Sequence, residues 1–242
     1  MYEPKTYRHW IKDKDLVSFN IGVKETDLYI RASTNLKRKA LKLVSKYRDT
    51  LERYIERHPT FLTSLKPFPV GDDAPRIVKS MSESAGKVGV GPMASVAGAI
   101  AEFVGTELLN FSPEIIVENG GDIYLKSLRK RLIGIYAGKS PLTGKIGLEI
   151  NGEDTPLGIC TSSGTVGHSL SYGKADAVIV ISKSAILADA AATAIGNLIK
   201  KPDDIPSGIK FAKGIEGLKG VIIIEGDNMG LWGEVKIYPM ST

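Results

Sequence analysis

The chain is poor in cysteine, histidine and tryptophan: its 242 residues include one Cys, three His and two Trp. The single cysteine, Cys160, excludes an intrachain disulfide and a cysteine-rich zinc site. No apolar run approaches the ~18–20 residues that a membrane-spanning helix needs. The opening segment M-Y-E-P-K-T-Y-R-H-W also lacks the apolar stretch of a signal peptide. We therefore expect a cytoplasmic protein that has no membrane partner.

Internal repeats and low-complexity segments are absent as well. With 43% hydrophobic residues, the chain can bury a sizeable core. We expect one globular unit over residues 1–242, and a subdomain boundary would fall in the proline-rich connection 59–75. Helical and strand-like segments follow one another without the regular alternation of a doubly wound sheet, which favours an α+β fold.

Hydrophobic periodicity and turn residues predict the order of the elements. The predicted helices cover 36–57, 75–85, 94–109, 184–197 and 207–216. The predicted strands are a first hairpin of 16–23 and 28–32, single strands at 115–118, 123–125, 132–136, 146–150 and 175–181, and a last hairpin of 221–225 and 233–238.

The formal net charge of +5 is concentrated in the predicted helix 36–57, where lysines and arginines alternate with apolar residues at helical spacing. A solvated basic face explains this pattern better than a nucleic-acid surface, because the aromatic residues belong to the apolar set. We therefore expect no nucleic-acid partner. The positive field could still help to attract an anionic nucleotide.

A Gly/Ser/Thr-rich segment, a strand and a helix follow one another between 160 and 197. Thr161 to Gly173 offers hydroxyls, backbone amides and one titratable ring, that of His168, so we predict a ligand-facing loop. The β-branched run 175–181 is typical of a buried strand, and Ser184 is a plausible N-cap for the helix. Loops placed before such a pair are common positions for small-molecule sites.

Asp189 and Thr193 are four residues apart in this helix and therefore share one face. A carboxylate and a hydroxyl one turn apart, on a helix otherwise lined by alanine, could ligate a hard cation such as Mg²⁺. The alternative is structural: Asp189 serves the first turn of its helix, and Thr193 bonds its own backbone.

Other polar positions have comparable alternatives. His168 could act as an acid–base or phosphate-binding group. Cys160 could be a nucleophile or a persulfide carrier if its thiolate were stabilised, or it could be buried and inert. Asp122 could orient a ligand or could serve ordinary turn chemistry. The segment G-K-V-G-V-G-P at 86–92 could contact an anion through its amides, or could be a tight turn between helices.

Four segments together resemble one family. A-D-A-A-A-T-A-I at 188–195 is similar to the A-D-A-x-A-T-A signature of the ApbE family, the FAD:protein FMN transferases. E-N-G-G-D-I at 118–123 resembles that family's N-x-G-G-D-I turn, and C-T-S-S-G at 160–164 resembles its T-S-G. G-P-M-A-S-V-A-G-A-I-A at 91–101 can be aligned with its G-G-I-A-K-G-x-A-x-D helix start. The resemblance covers roughly residues 85–200.

The resemblance implies a fold and a set of site residues. The fold would be ApbE-like, a T-fold-like arrangement of mixed sheets packed with helices, with homodimers expected from the habits of the fold. Asp189, Thr193 and the carbonyl of Ala94 would hold Mg²⁺, and His168 and Asp122 would serve proton transfer or orientation. The implied contacts to FAD or another nucleotide are Asn119, Gly120, Gly121, Thr161, Ser162, Ser163 and Gly164.

The chain departs from the family between the T-S-G and A-D-A motifs. The family carries H-I-x-D-P-x-T-G there, whereas this sequence has T-V-G-H-S-L-S-Y-G-K and lacks the D-P-x-T-G portion. We expect an ApbE-like protein that binds a flavin, nucleotide or other phosphate-bearing small molecule. Two functions stay open: a Mg²⁺-dependent flavin or nucleotide transferase, or an accessory factor in intracellular sulfur assimilation that uses Cys160.

Overall fold

A computed structural model of the chain describes residues 15–164 and 173–240. The strands are β1 (Val17–Val23), β2 (Thr26–Ala32), β3 (Ile115–Asn119), β4 (Asp122–Lys126), β5 (Arg131–Gly134), β6 (Ile146–Ile150), β7 (Leu157–Ser162), β8 (Ala177–Ser182), β9 (Leu218–Glu225), β10 (Asn228–Gly233) and β11 (Ile237–Pro239). The helices are α1 (Lys37–Arg57), α2 (Thr60–Thr63), α3 (Arg76–Val88), α4 (Val96–Leu108), α5 (Ala185–Leu198) and α6 (Ile205–Lys213). The predicted α+β class is confirmed.

The molecule has three layers. An eight-stranded sheet has the order β1-β2-β3-β4-β7-β8-β9-β10, and a three-stranded sheet has the order β11-β6-β5. Neighbouring strands are antiparallel in both sheets. One core lies between the large sheet and the helices, and a second core lies between the two sheets. The large sheet is therefore covered on both faces along its middle strands.

Strand β8 shows how the sequence encodes this middle position. All six of its residues, A-V-I-V-I-S, are buried. Val178 and Val180 pack against the helices, while Ile179 and Ile181 pack against the small sheet. Successive side chains of a strand point to opposite faces, so a strand covered on both faces is apolar throughout rather than alternating.

The basic helix is confirmed as α1. Its buried stripe is Ala40, Val44, Tyr47 and Leu51, and most of its lysines and arginines are exposed. Arg48 is an exception, because only 15% of its side chain is exposed and it donates hydrogen bonds to Thr26, Glu25 and Glu52.

Cys160, Thr161 and Ser162 lie in strand β7 rather than in a loop, which corrects the predicted start of the ligand-facing segment. Strand β7 pairs with β4 on one side and with β8 on the other. The composition C-T-S-S resembles a loop, but a central position in the sheet satisfies these backbone groups with ladder hydrogen bonds.

The predicted last hairpin is also corrected. The chain reverses directly after β9, and Glu225 pairs with Asn228 across the turn. Gly226 has a φ of 63°, a left-handed conformation that glycine adopts without steric cost. Strand β10 therefore begins at 228, and the short strand Ile237–Pro239 joins the small sheet instead.

The proline-rich connection 59–75 packs against the helix-side core. Phe61 is fully buried, and its ring meets Phe68 edge to face at 5.9 Å between centroids. The Ser82 hydroxyl donates a hydrogen bond to the Phe68 carbonyl, which attaches the connection to α3. A subdomain boundary at this place stays a prediction.

Over 15–164 and 173–240, no single helix has the length and apolar character to cross a bilayer. The pair Arg76–Val88 and Pro92–Leu108, bent by 103°, meets the criterion of length and composition only when the two helices are taken together.

Candidate functional site

Helices α4 and α5 approach each other closely because small residues line their contact. A Cβ atom on Gly98 would lie 2.3 Å from the Ala185 carbonyl oxygen and 2.8 Å from the Asp189 Cβ. Both distances are far below van der Waals contact, so the helix pair requires glycine at 98. This approach brings the beginning of each helix next to a carboxylate of the other.

The two helices exchange caps. Asp189 of α5 accepts a hydrogen bond from the Gly98 amide at 2.8 Å, and the Ala97 amide also donates to it. In return, Glu102 of α4 accepts from the Ile186 amide at 3.2 Å and from the Ser184 hydroxyl at 2.9 Å. Each carboxylate thus satisfies amides that a helix N-terminus leaves without partners. Asp189 serves the first turn of α4, not that of its own helix.

Ser184 is the N-cap of α5, as predicted. Its side chain accepts a hydrogen bond from the Leu187 amide at 3.3 Å while its hydroxyl donates to Glu102. Burial raises the pKa of Glu102.

Replacing Glu102 with alanine is expected to lower the free energy of unfolding by about 1–2 kcal/mol, because it removes the acceptor for the first amides of α5. Urea denaturation at neutral pH measures this change. Glu83→Ala is the matched control, since Glu83 is exposed on α3, and we expect a change within about 0.5 kcal/mol there. Equal effects of the two substitutions would contradict the capping role.

Asp122 follows the N-G-G turn between β3 and β4, where Gly120 and Gly121 have φ angles of 68° and 119°. The Thr161 amide donates to its Oδ1 at 3.3 Å. Burial raises the pKa of Asp122 to about 7, and the negative charge of Glu118 adds to the shift. The turn predicted to hold a ligand thus ends on a carboxyl that titrates near neutral pH.

Asp122 lies close enough to Asp189 to influence its ionisation. Burial raises the pKa of Asp189 well above its ordinary value, and the charge of Asp122 raises it further. Two neighbouring buried carboxyl groups whose ionisation is disfavoured are stabilised in their charged forms by a cation.

Cys160 lies beside these two carboxyls and is fully buried. Its thiol donates to the Ala185 carbonyl at 3.3 Å. Burial, together with the charges of Asp122 and Asp189, raises the pKa of the thiol well above its ordinary value. The buried, inert alternative for Cys160 is therefore the one that its surroundings favour, because nucleophilic cysteines need a stabilised thiolate.

A cavity of about 1480 Å³ opens next to this group of buried side chains. It extends from the start of α4 across the N-G-G turn and into the space between the two sheets. The residues of the predicted site that line it are Ala94, Asn119, Gly120, Gly121, Asp122, Thr161, Ser163 and Thr193. The side-chain amide of Asn119 donates to the Ala97 carbonyl at 3.1 Å, and this bond joins the N-G-G turn to the beginning of α4.

Three predicted residues do not line the cavity. Asp189 lies behind the first turn of α4, to which its Oδ2 is bonded. Ser162 points to the helix face of the sheet like Cys160, and its hydroxyl is buried without a partner in the part of the chain that the structure covers. A Cβ on Gly164 would lie 2.1 Å from the Gly173 carbonyl oxygen, so Gly164 packs against Gly173. His168 lies outside the described residues.

The cavity wall also contains residues that the sequence analysis did not single out. Asn197 lies one turn after Thr193 on α5 and lines the same wall. That spacing is visible in the sequence, but the position lies beyond the family signature. Arg31 and Glu118 line the far part of the cavity. Arg31 belongs to no recognised motif, whereas Glu118 is the first residue of the E-N-G-G-D-I segment, at the position of the family's Asn.

Among the described residues that line the cavity, carboxylates outnumber cationic side chains. The acidic residues are Glu25, Asp27, Glu52, Glu56, Glu118 and Asp122, and the basic residues are Arg31 and Arg48. Such a wall repels a phosphate-bearing ligand unless a cation accompanies it.

The predicted metal ligands suit a hard cation. A carboxylate, a hydroxyl and a backbone carbonyl are oxygen donors of the kind that Mg²⁺ prefers, and Mg²⁺ keeps several waters or phosphate oxygens as its other ligands. Among the residues that the structure describes, no three His, Cys, Asp or Glu side chains come together to bind a metal. A metal site built from the described residues alone would use few carboxylates and several neutral oxygens.

Solved structures with the same architecture include flavin transferases. The apo form of the Pseudomonas stutzeri flavinyl transferase ApbE matches with a TM-score of 0.59 and 16% identity, over 90% of this chain and 94% of that one. The apbe protein from Thermotoga maritima matches with a TM-score of 0.52 and 13% identity, over 89% of this chain and 96% of that one. At these identities the likeness establishes the ApbE fold.

Sequence comparison identifies the family of this chain. A family model described as "AbpE bacteria" matches residues 8–209, and this chain belongs to that family. The UPF0280 protein of Methanocaldococcus jannaschii is 44% identical over 221 residues, which cover 89% of this chain and 90% of the relative. The UPF0280 protein of Methanococcus aeolicus is 42% identical over 230 residues, with coverages of 93% and 90%. The expected resemblance to an ApbE-like branch is confirmed.

Proposed function

We propose that this protein binds a flavin, or another nucleotide with a phosphate chain, in the cavity together with Mg²⁺. Ala94, through its carbonyl, and Thr193 line the cavity, and together with Asp189, one turn before Thr193 on α5, they would hold the cation at the cavity's edge. The observation that carries the proposal is the pair of buried carboxyls, Asp122 and Asp189, whose ionisation is disfavoured beside a cavity with an acidic lining. A divalent cation would stabilise the two carboxylates in their charged forms. It would also neutralise the ligand phosphates, which the acidic lining otherwise repels.

When bound, Mg²⁺ would neutralise charge on a pyrophosphate group. The protein's own residues would supply the remaining functions. The N-G-G turn and the hydroxyls of Thr161 and Ser163 would contact the ligand from the sheet side. With a pKa of about 7, Asp122 could hold or release a proton at its Oδ atoms near neutral pH. His168 stays a sequence-based candidate for the same task.

The activity that this site would support is transfer of a flavin or nucleotide phosphate. The fold is that of a protein named flavinyl transferase, which supports this reaction class. Fold alone does not establish an activity, and the missing D-P-x-T-G segment removes part of the family's flavin-binding pattern. Ligand binding is therefore the first claim to test, and transfer of FMN from FAD is the second. No observation favours the sulfur-assimilation alternative, because Cys160 is buried.

Calorimetric titration with FAD and with ADP, each in Mg²⁺ and in EDTA, tests the proposal. We expect the wild-type protein to bind at least one of them more tightly in Mg²⁺. In Asp189→Asn, the ratio between the dissociation constants in EDTA and in Mg²⁺ should fall about tenfold or more, because the substitution removes the only charged residue among the proposed metal ligands. Asp203→Asn is the control, since Asp203 is exposed and is not among the residues that line the cavity.

Two results would overturn the proposal. One is binding of neither nucleotide under either condition. The other is binding to the wild-type protein that is as tight in EDTA as in Mg²⁺ and that Asp189→Asn does not change. Circular dichroism of Asp189→Asn shows whether the fold survives the loss of charge at the α4 cap, and the amide oxygen of asparagine can still accept the Gly98 hydrogen bond.

A further inference from the structure

The cavity has a second end that the proposed cation site does not use. Between the two sheets its lining is apolar: Ile123, Ile159 and Ile179 belong to the large sheet, and Ile133 and Leu148 belong to the small sheet. An apolar space with side chains on two opposite walls suits a flat, poorly hydrated group.

Two charged residues border this apolar end. Glu118 of β3 is 4% exposed and Arg31 of β2 is 9% exposed, and both line the cavity. Tyr29 is directly opposite Glu118, and Arg31 is opposite Ile116. Glu118 and Arg31 are therefore diagonal neighbours on one face of the sheet, at a separation that long side chains bridge.

Neighbouring residues hold this charged pair in place. The guanidinium carbon of Arg31 lies 5.7 Å from the centre of the Tyr29 ring, an arrangement that favours a cation over the ring face. On its other side Glu118 faces Ile123 of β4, which belongs to the apolar end of the cavity. A carboxylate acceptor and a guanidinium donor thus stand side by side at the border of an apolar space.

We propose that Glu118 and Arg31 hydrogen-bond to the edge of a bound nitrogen heterocycle, at a place where the ring presents an N–H donor beside an acceptor. Glu118 would accept from the ring N–H of a flavin or guanine, or from the amino group of adenine, and Arg31 would donate to the adjacent carbonyl or ring nitrogen. Flavins, guanine and adenine all present such an edge. The inference deepens the proposed function by assigning its ring end, while the cation site would hold the phosphate end.

A ligand pocket typically places a few polar or charged groups on an apolar wall to fix the orientation of the ligand, and Glu118 and Arg31 have that position here. Binding sites built to hydrogen-bond a ligand N–H reject analogues that lack it, because the site's polar groups are then left unpaired.

The first test changes the ligand and leaves the protein intact. Riboflavin, guanosine and adenosine carry rings without phosphates, so their binding in EDTA is independent of the cation site. We expect saturable calorimetric binding of at least one of them. Methylation that removes the edge N–H, as in 3-methylriboflavin, 1-methylguanosine or N6,N6-dimethyladenosine, should weaken that compound's binding about tenfold or more. No saturable binding of any of the three, or equal binding of the methylated compound, would overturn the proposal.

The second test changes the protein. Glu118→Gln and Arg31→Gln should each weaken binding of the same compound about tenfold, since each loses a charge-assisted hydrogen bond. Glu149→Gln is the matched control, because Glu149 is 13% exposed, ion-paired with Lys130, and absent from the cavity lining. Unchanged binding in both cavity variants would contradict the proposal.

The two proposals fail separately. Binding of the phosphate-free compounds should be equally tight in Mg²⁺ and in EDTA, because these compounds do not reach the cation. If the ring compounds bind but FAD and ADP show no Mg²⁺ dependence, the ring site stands and the cation site does not. The reverse pattern, with Mg²⁺-dependent ADP binding and no effect of Glu118→Gln on any ligand, overturns the ring site alone.

Discussion

Replacing Gly98 with alanine is expected to lower the free energy of unfolding by about 3 kcal/mol, which is at the upper end for overpacking a core. The added Cβ would meet the Ala185 carbonyl oxygen at 2.3 Å and the Asp189 Cβ at 2.8 Å. Both contacts are with atoms that cannot move without shifting α5. The shift would displace the Asp189 carboxylate from the Gly98 amide, so we also expect any Mg²⁺-dependent ligand binding to be lost.

Gly86→Ala is the matched control for this substitution. Gly86 is also helical, in α3, but nothing lies within 4 Å of the place that its Cβ would take. Alanine there should raise the free energy of unfolding by about 0.5–1 kcal/mol, because glycine is the weaker helix former. Urea denaturation of both variants measures the contrast. A Gly98→Ala variant as stable as the wild type would show that the two helices can separate without cost.

Asp122→Asn is expected to stabilise the metal-free protein at high pH. The pKa of Asp122 is about 7 in the folded protein against an ordinary value of 3.8, so folding favours its protonated form. The free energy of unfolding should therefore fall as the pH rises from the ordinary value towards about 7, and then level off. Asparagine has no charge to bury, and at pH 9 it should recover about 2–4 kcal/mol of this loss.

Thermal denaturation in EDTA at pH 4 and pH 9 tests this expectation. At pH 4 the two proteins should be nearly equal in stability, because Asp122 is protonated there in the folded wild type and half protonated when unfolded. Asp203→Asn should follow the wild-type profile, since Asp203 is exposed. Equal losses of stability between pH 4 and pH 9 in the wild type and in Asp122→Asn would contradict the assigned ionisation.

Much of the fold can be predicted from the sequence because most elements have strong periodicity. The pattern places helix α1 and the first hairpin within one or two residues of their observed limits. Strand β7 escapes prediction because Gly158 interrupts its apolar residues and because Thr161 and Ser162 lead into a hydroxyl-rich segment; pairing with its two neighbouring strands makes it a strand. The β9–β10 turn escapes it because Gly-Asp-Asn-Met-Gly allows several turn positions, and pairing across the sheet selects one.

The site is predictable where a motif carries it. The motifs indicate Ala94, the N-G-G turn, Thr161 and Thr193, which line one cavity. They cannot predict the exchange of caps between α4 and α5, since Glu102 and Ile186 are 84 positions apart. The proximity of Glu118 to Arg31 cannot be predicted either, because only the register of β2 and β3 makes them neighbours. The cytoplasmic location and the homodimer stay predictions from the sequence.

The exchanged caps also bear on the order in which the chain can complete its structure during synthesis. Helix α4 leaves the ribosome well before α5, so the amides of Ala97 and Gly98 have no carboxylate from Asp189 until strands β3 to β8 have been made. Because neither helix terminus is complete alone, the pair is secured in one late, long-range step. A nascent chain that stalls before residue 189 would therefore present a frayed α4, open to proteases and chaperones.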